Sequence, residues 1–75
     1  MYTVIELQTN DGITAVVTPV TYEKRNEAEA KFHAVMCAAA MSKVDVHSCV
    51  IVDEKGNRVM SGCYLHDDPS KEVVG

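Results

Sequence analysis

The chain has 75 residues, a length that allows one domain with a single small core and makes contact with a partner valuable to stability. Its residues are 47% hydrophobic and 24% charged, which is typical of a globular chain and excludes a disordered one. The formal net charge is −4 and the basic residues are scattered, which excludes a phosphate-binding surface, so we expect no nucleic-acid partner.

The N-terminal residues MYTVIELQTN have no basic start followed by an apolar run, which is unlike a signal peptide. No run approaches the roughly 18 apolar residues of a membrane span, so we expect no membrane association. The cysteines, Cys37, Cys49 and Cys63, are odd in number and form no C-x-x-C pair. These features predict a cytoplasmic protein with reduced thiols.

Two strand-forming segments, YTVIELQT and ITAVVTPV, flank Asn10-Asp11-Gly12, and this arrangement predicts a hairpin. Alternation is expected to place one apolar set on a single face of the hairpin: Ile5, Leu7, Ile13, Ala15 and Val17. The other face would carry Glu6, Gln8, Thr14 and Thr18. Pro19 removes a hydrogen-bond donor, which predicts an edge position for this end of the second strand.

The segment NEAE predicts a helix start, with Asn26 as the cap and Glu29 completing a capping box. The helix would run from about Glu27 to Met41 and close at Ser42 and Lys43. At 100° per residue, one narrow stripe is expected to face the sheet: Ala28, Phe32, Val35, Met36 and Ala39.

The stretch AVMCAAAM, residues 34–41, contains no polar side chain, so the helix has a second apolar stripe opposite the first. We expect that stripe to form a two-fold contact with the same helix of a second copy, centred on Ala30, Ala34, Cys37 and Met41. The alternative is an exposed alanine surface, because alanine favours helices and tolerates water.

The segment VDVHSCVIVDEKGNRVMSGCYL predicts a second hairpin, whose turn runs from Asp53 to Asn57 with Gly56 in the left-handed region. The expected pairs are Ile51 with Val59, Cys49 with Ser61 and His47 with Cys63. The predicted core face carries Val44, Val46, Val50, Val52, Met60 and Tyr64. The other face is unusually apolar for a solvent face: His47, Cys49, Ile51, Val59, Cys63 and Leu65.

The order β-β-α-β-β predicts a two-layer α+β fold, with a four-stranded, mostly antiparallel sheet and one helix packed on it. We expect a single domain over residues 1–75, in which residues 66–75 form a flexible tail.

Two kinds of chemistry are open to the second hairpin. Four zinc-type ligands lie on adjacent strands: His47, Cys49, Cys63 and His66. Cys63 with His47 as its base would instead be a nucleophile pair. Alternation sends His66 away from His47, and a chain this short rarely builds an enzyme pocket, so we expect no metal, no cofactor and no catalysis. An acidic decoy of a nucleic-acid-binding enzyme is a further alternative, which only the net charge supports.

The helix start NEAEAKFH, the alanine run and the strand entry VHS resemble a group of short uncharacterised proteins from phages and mobile elements of Gram-positive gut bacteria. The resemblance covers about half of the chain and includes no catalytic motif, so no functional residue carries over. It implies a phage or prophage setting. With the helix stripe, it leads us to expect a non-enzymatic homodimeric protein-interaction module, an accessory protein that binds a host or phage protein.

Overall fold

The computed structural model of the chain describes residues 1–66, so most of the predicted tail lies outside the described residues. The strands form one sheet in the order β2-β1-β3-β4, every neighbouring pair is antiparallel, and one helix packs on the sheet. The predicted α+β class and element order are confirmed, with these bounds: β1 Tyr2–Asn10, β2 Ile13–Tyr22, α1 Arg25–Met41, β3 Val46–Asp53 and β4 Arg58–Leu65.

A two-residue loop, Asp11-Gly12, joins β1 to β2. Both residues have positive φ, 53° and 78°, as a type I′ turn requires. The loop pairs Leu7 with Val16, so the predicted faces of this hairpin are wrong. Ile13, Ala15 and Val17 were predicted to share the face of Leu7, but they lie on the face of Glu6. Thr14 was predicted to share the face of Glu6, but it lies on the face of Leu7.

The edge strand β2 contains a β-bulge at Thr18 and Pro19. Val4 pairs with Val20 but Glu6 pairs with Val17, so two residues of β2 oppose the single residue between them in β1. Proline has no N–H to donate, and a bulge in an edge strand tolerates that loss. The edge position that Pro19 predicts is therefore confirmed.

The second hairpin has the predicted turn but a different register beyond it. Gly56 has φ of 84°, and the Asp53 N–H donates to the Asn57 carbonyl at 3.0 Å. Val52 pairs with Arg58, yet the next pair is Ile51 with Met60, so the residue between Arg58 and Met60 is bulged. Because of this bulge at Val59, the predicted pairs beyond the turn are wrong by one residue. The observed pairs are Ile51–Met60, Cys49–Gly62, Ser48–Cys63 and His47–Tyr64.

The core lies between the helix and one face of the sheet, and consists of Val4, Ala28, Phe32, Val35, Cys49 and Ile51. The predicted core face of β3 is wrong, because Val46, Val50 and Val52 alternate with the buried residues and point away from the helix. Both faces of β3 are apolar, so alternation alone could not decide which face the helix covers.

The helix begins at Arg25, with Lys24 as the N-cap and no side-chain capping bond, so the predicted Asn26 cap is wrong. Glu29 instead accepts a hydrogen bond of 2.7 Å from Arg25 Nε, one turn earlier. The predicted sheet-facing stripe is confirmed, because Ala28 and Ala39 are 0% exposed and the residues between them on that stripe pack against the core. Within residues 1–66, no helix is long and apolar enough to cross a membrane.

Gly62 of β4 lies against the helix side chains Met36 and Phe32. A Cβ placed there would lie 3.1 Å from Met36 Cε and 3.4 Å from Phe32 Cζ, which leaves no room for a branched side chain.

We therefore predict that Gly62→Val lowers the free energy of unfolding by about 1–3 kcal/mol, as overpacking of a filled core does. Urea denaturation followed by circular dichroism measures the change. Ser61→Ala is the matched control, because Ser61 points to the opposite face of the same strand. Unchanged stability in the Gly62 variant would contradict the tight packing of helix and sheet.

Candidate functional site

A polar chain of side chains lies under the C-terminal end of α1, which we call the Glu6–His47–Ser42 chain. Glu6 in β1 and His47 in β3 are separated by 2.6 Å between Oε2 and Nε2. The other ring nitrogen of His47, Nδ1, is 2.9 Å from the Ser42 hydroxyl. Gln8 donates a further hydrogen bond of 3.0 Å to the same Glu6 oxygen. The three elements that meet here are therefore joined through one imidazole ring.

Two proton arrangements satisfy the Glu6–His47–Ser42 chain. In the first, the Ser42 hydroxyl donates to the Ala39 carbonyl at 3.1 Å, Nδ1 of His47 donates to the hydroxyl, and the ring is an imidazolium. In the second, the hydroxyl turns to donate to Nδ1 and the ring is neutral. Nε2 carries a proton toward Glu6 in both, so the carboxylate always accepts.

Glu6 is a carboxylate at neutral pH although its side chain is only 19% exposed. Burial raises its pKa, but hydrogen bonds from Gln8 and His47 and the charges of His47 and Lys31 outweigh burial, so the pKa lies below 4.5. Burial and the nearby Glu6 charge raise the pKa of Cys49, so this thiol stays protonated and unreactive.

Hydrogen bonds from Ser42 and His66 fix the last turn of the helix. The Ala39 carbonyl accepts the Ser42 N–H at 3.2 Å and His66 Nε2–H at 2.9 Å. A histidine there suits the partial negative charge of a helix C-terminus, and α1 has no basic residue of its own in that turn. His66, the first residue of the predicted tail, is thus tied to the helix.

The arrangement of Ser42, His47 and Glu6 contains the residue types of a hydrolase triad, but it serves to hold the fold together. The side chain of His47 is only 5% exposed, so no substrate can reach the ring. The serine hydroxyl also caps the helix end rather than pointing into a cleft. Its role in the described structure is to pin the helix to β1 and β3 at a fixed position.

The structure separates the four candidate metal ligands. His47 and Cys49 are buried under the helix, on one face as predicted, whereas Cys63 is exposed and pairs with Ser48 on the opposite face. The predicted position of Cys63 opposite His47 is wrong because of the Val59 bulge. Within residues 1–66, no three His, Cys, Asp or Glu side chains are grouped as a metal site requires. The Cys63–His47 nucleophile pair has no geometric basis either.

The second helix stripe, Ala30, Ala34, Cys37 and Met41, lies on the solvent side of α1. All four residues are exposed, and Met41 is 86% exposed. Their predicted contact with a second copy stays a prediction, because a single chain is described.

No helix covers the face of the sheet that points away from α1 in residues 1–66, and we call this face the open face. Leu7 pairs with Val16 on one side and with Ser48 on the other, and Ser48 pairs with Cys63, so this row of the sheet continues across all four strands. Arg58, at one corner, is the single charged side chain that residues 1–66 place there. The apolar residues of the open face are Ile5, Leu7, Val16, Val46, Val50, Val52, Cys63 and Leu65.

A groove of about 330 Å³ crosses the open face over β3 and β4. It is lined by Leu7 of β1 and by residues of β3 and β4 that include Val50, Ser48, Ser61 and Cys63. None of these residues is Asp, Glu, His, Lys or Arg, so the groove offers shape, hydroxyl groups and a thiol rather than a charged side chain.

Sequence reasoning missed both the Glu6–His47–Ser42 chain and the open face as units. Glu6 was expected on a solvent face, and its partner His47 is 41 residues away in the chain. The available signal for the open face was that Ile5, Leu7, Val50 and Val52 alternate as core residues do.

Comparison with protein-family models, with curated proteins and with solved structures gives no match for this chain. The open face, the helix stripe and the Glu6–His47–Ser42 chain are therefore the features of this chain that bear on its function.

We predict that acid destabilises the fold partly through Glu6. Because its pKa is lowered on folding, the carboxylate contributes stability that is fully present above about 4.5 and lost as pH falls through the lower folded-state value. Glu6→Gln should therefore be less stable than the wild type at pH 7, and the difference should shrink between pH 5 and pH 3.

Melting temperature against pH measures this effect, with Glu23→Gln at an exposed position as the control. A Glu6→Gln difference that stays constant with pH would contradict the assignment of a buried carboxylate.

We also predict that purified, tag-free protein contains well under one zinc per chain, because Cys63 lies on the other face from His47. Elemental analysis measures the content, and a chelator should leave the melting temperature unchanged. One tightly held zinc per chain, released together with stability, would refute this prediction.

Proposed function

We propose that this protein is a non-catalytic homodimeric protein-interaction module. The observation that supports this most directly is the open face, which spans four strands and carries eight apolar residues with one charge at its corner. Threonine and serine side chains lie between these apolar residues, as the register of the four strands shows. Uncovered surfaces rich in aliphatic residues usually mark contacts with other proteins.

The groove supports binding rather than chemistry. A catalytic site needs a group that donates or accepts protons near the operating pH, or a nucleophile beside such a group. The groove presents aliphatic carbons, two serine hydroxyls and the Cys63 thiol, while the described histidine closest in the sheet, His47, is buried on the other side.

The setting we propose is the cytoplasm of a bacterium that carries a phage or prophage. Three free cysteines, of which Cys37 and Cys63 are exposed, suit a reducing compartment. The phage or prophage part of the proposal rests on the resemblance of residues 25–66.

The dimer is tested by light scattering after size exclusion. We expect a mass close to twice the 8.2 kDa of one chain at high micromolar concentration, falling toward one chain on dilution. A mass of one chain at every concentration would refute the homodimer, and the open face would then need a different protein as its partner.

A further inference from the structure

Apolar and polar side chains alternate along β1 and β3 in a way that places aliphatic residues on the open face. Ile5 and Leu7 of β1 point to the open face, whereas Glu6 and Gln8, one residue on from each, point under the helix. In β3, Val50 and Val52 point to the open face while His47 lies under the helix. The helix side of these strands also holds Val4 and Ile51 of the core, so β1 and β3 carry large aliphatic residues on both faces. Strands that are apolar on both faces are expected where a second layer covers the side that the helix leaves open.

We propose that two copies of the chain pack open face against open face, around a two-fold axis that runs parallel to the strands. This inference rests on the proposed homodimer and names its contact surface. It makes a four-layer particle with the two sheets inside and the two helices outside.

The direction of the axis follows from the shape of the open face, which has larger residues on β1 and β2 and a groove over β3 and β4. An axis parallel to the strands reverses the strand order of the second copy, so β2 lies over β4 and β1 lies over β3. An in-plane axis perpendicular to the strands would instead stack each strand on itself and place groove over groove. Only the first arrangement brings the larger residues of β1 and β2 over the groove in β3 and β4.

Each row of residues across the open face then packs against the same row of the second copy, in which the order of the strands is reversed. The row Val16–Leu7–Ser48–Cys63 places Leu7 over Ser48 of the second copy and Val16 over Cys63 of the second copy. A large side chain therefore meets a small one at each position, as interdigitating sheets require.

The neighbouring rows are aligned by the same axis. Ile5 meets Val50 of the second copy at the centre, and Thr9 meets Val46 of the second copy toward one end. Arg58 lies at the corner opposite Thr21, where its guanidinium stays in water.

The areas favour the sheet over the helix stripe as the contact. Four strands about 4.8 Å apart and eight residues long cover roughly 500 Å² per copy, or about 1,000 Å² for the pair, the minimum of a specific interface. A helix of 17 residues is about 25 Å long and 10 Å wide, which gives about half that footprint. The net charge of −4 also favours the open face, because this face brings no carboxylates together.

The first experiment compares single charges on three surfaces by light scattering. Val50→Glu places a carboxylate at the centre of the open face and should weaken the dimer by at least about a hundredfold. Ile13→Glu is the matched control, because it adds the same charge to a strand on the helix side, where Ile13 is 74% exposed, and should leave the dimer intact. Ala34→Glu on the helix stripe should also leave it intact.

The second experiment maps the strand alignment with a short bis-maleimide, which joins two thiols without an oxidant. In a Cys37→Ser background, Val16→Cys should crosslink to Cys63 of the other copy, and adding Cys63→Ser should remove the crosslinked band. Val16 is 59% exposed, so this substitution does not disturb the core.

The outcomes separate the contact surface from the dimer itself. A dimeric wild type whose mass is unchanged by Val50→Glu but halved by Ala34→Glu overturns the open-face contact and leaves the homodimer standing. A monomeric wild type overturns both. If Val50→Glu loses its circular dichroism signal, the crosslink decides: a band between positions 16 and 63 supports the proposal, and a band that persists with Cys63→Ser overturns it.

Discussion

One helix cannot cover a four-stranded sheet, and this mismatch in size determines most features of the molecule. A helix is about 10 Å wide, whereas four strands span roughly twice that distance. Helix α1 therefore lies over the two central strands, where the buried residues of β1 and β3 are found, and leaves β2 exposed along almost its whole length. The absence of a side chain at Gly62 lets Met36 and Phe32 of the helix pack against β4 as well.

The polar groups under the helix fix the position of its C-terminal end on the sheet. A helix that packed on the other face would leave Glu6 and His47 in water and bury Ile5, Leu7 and Val50 instead. The observed arrangement buries the Glu6 carboxylate beside His47, and Gln8 and Ser42 complete the hydrogen bonds of these two groups. In return the helix end has one defined position, since a shifted helix would break the bond between Ser42 and His47.

The sequence predicts those features that depend on local chemistry. The left-handed glycines at 12 and 56, the helix stripe with Phe32 and the edge position of Pro19 each have a cause within a few residues. The registers were harder, because nothing in the residues around Val59 marks an extra residue, and a single bulge exchanges the two faces of β4. The Glu6–His47 contact joins distant strands, so only the tertiary structure reveals it.

The bulge at Thr18 and Pro19 has a consequence for the solution behaviour of the protein. An exposed edge strand of ten residues with aliphatic side chains could recruit further strands and extend into a filament. Proline offers no N–H to an incoming strand, and the bulge breaks the straight ladder that such growth would copy. These two residues therefore disfavour the addition of strands at this edge. Such addition would build fibrils in place of a dimer.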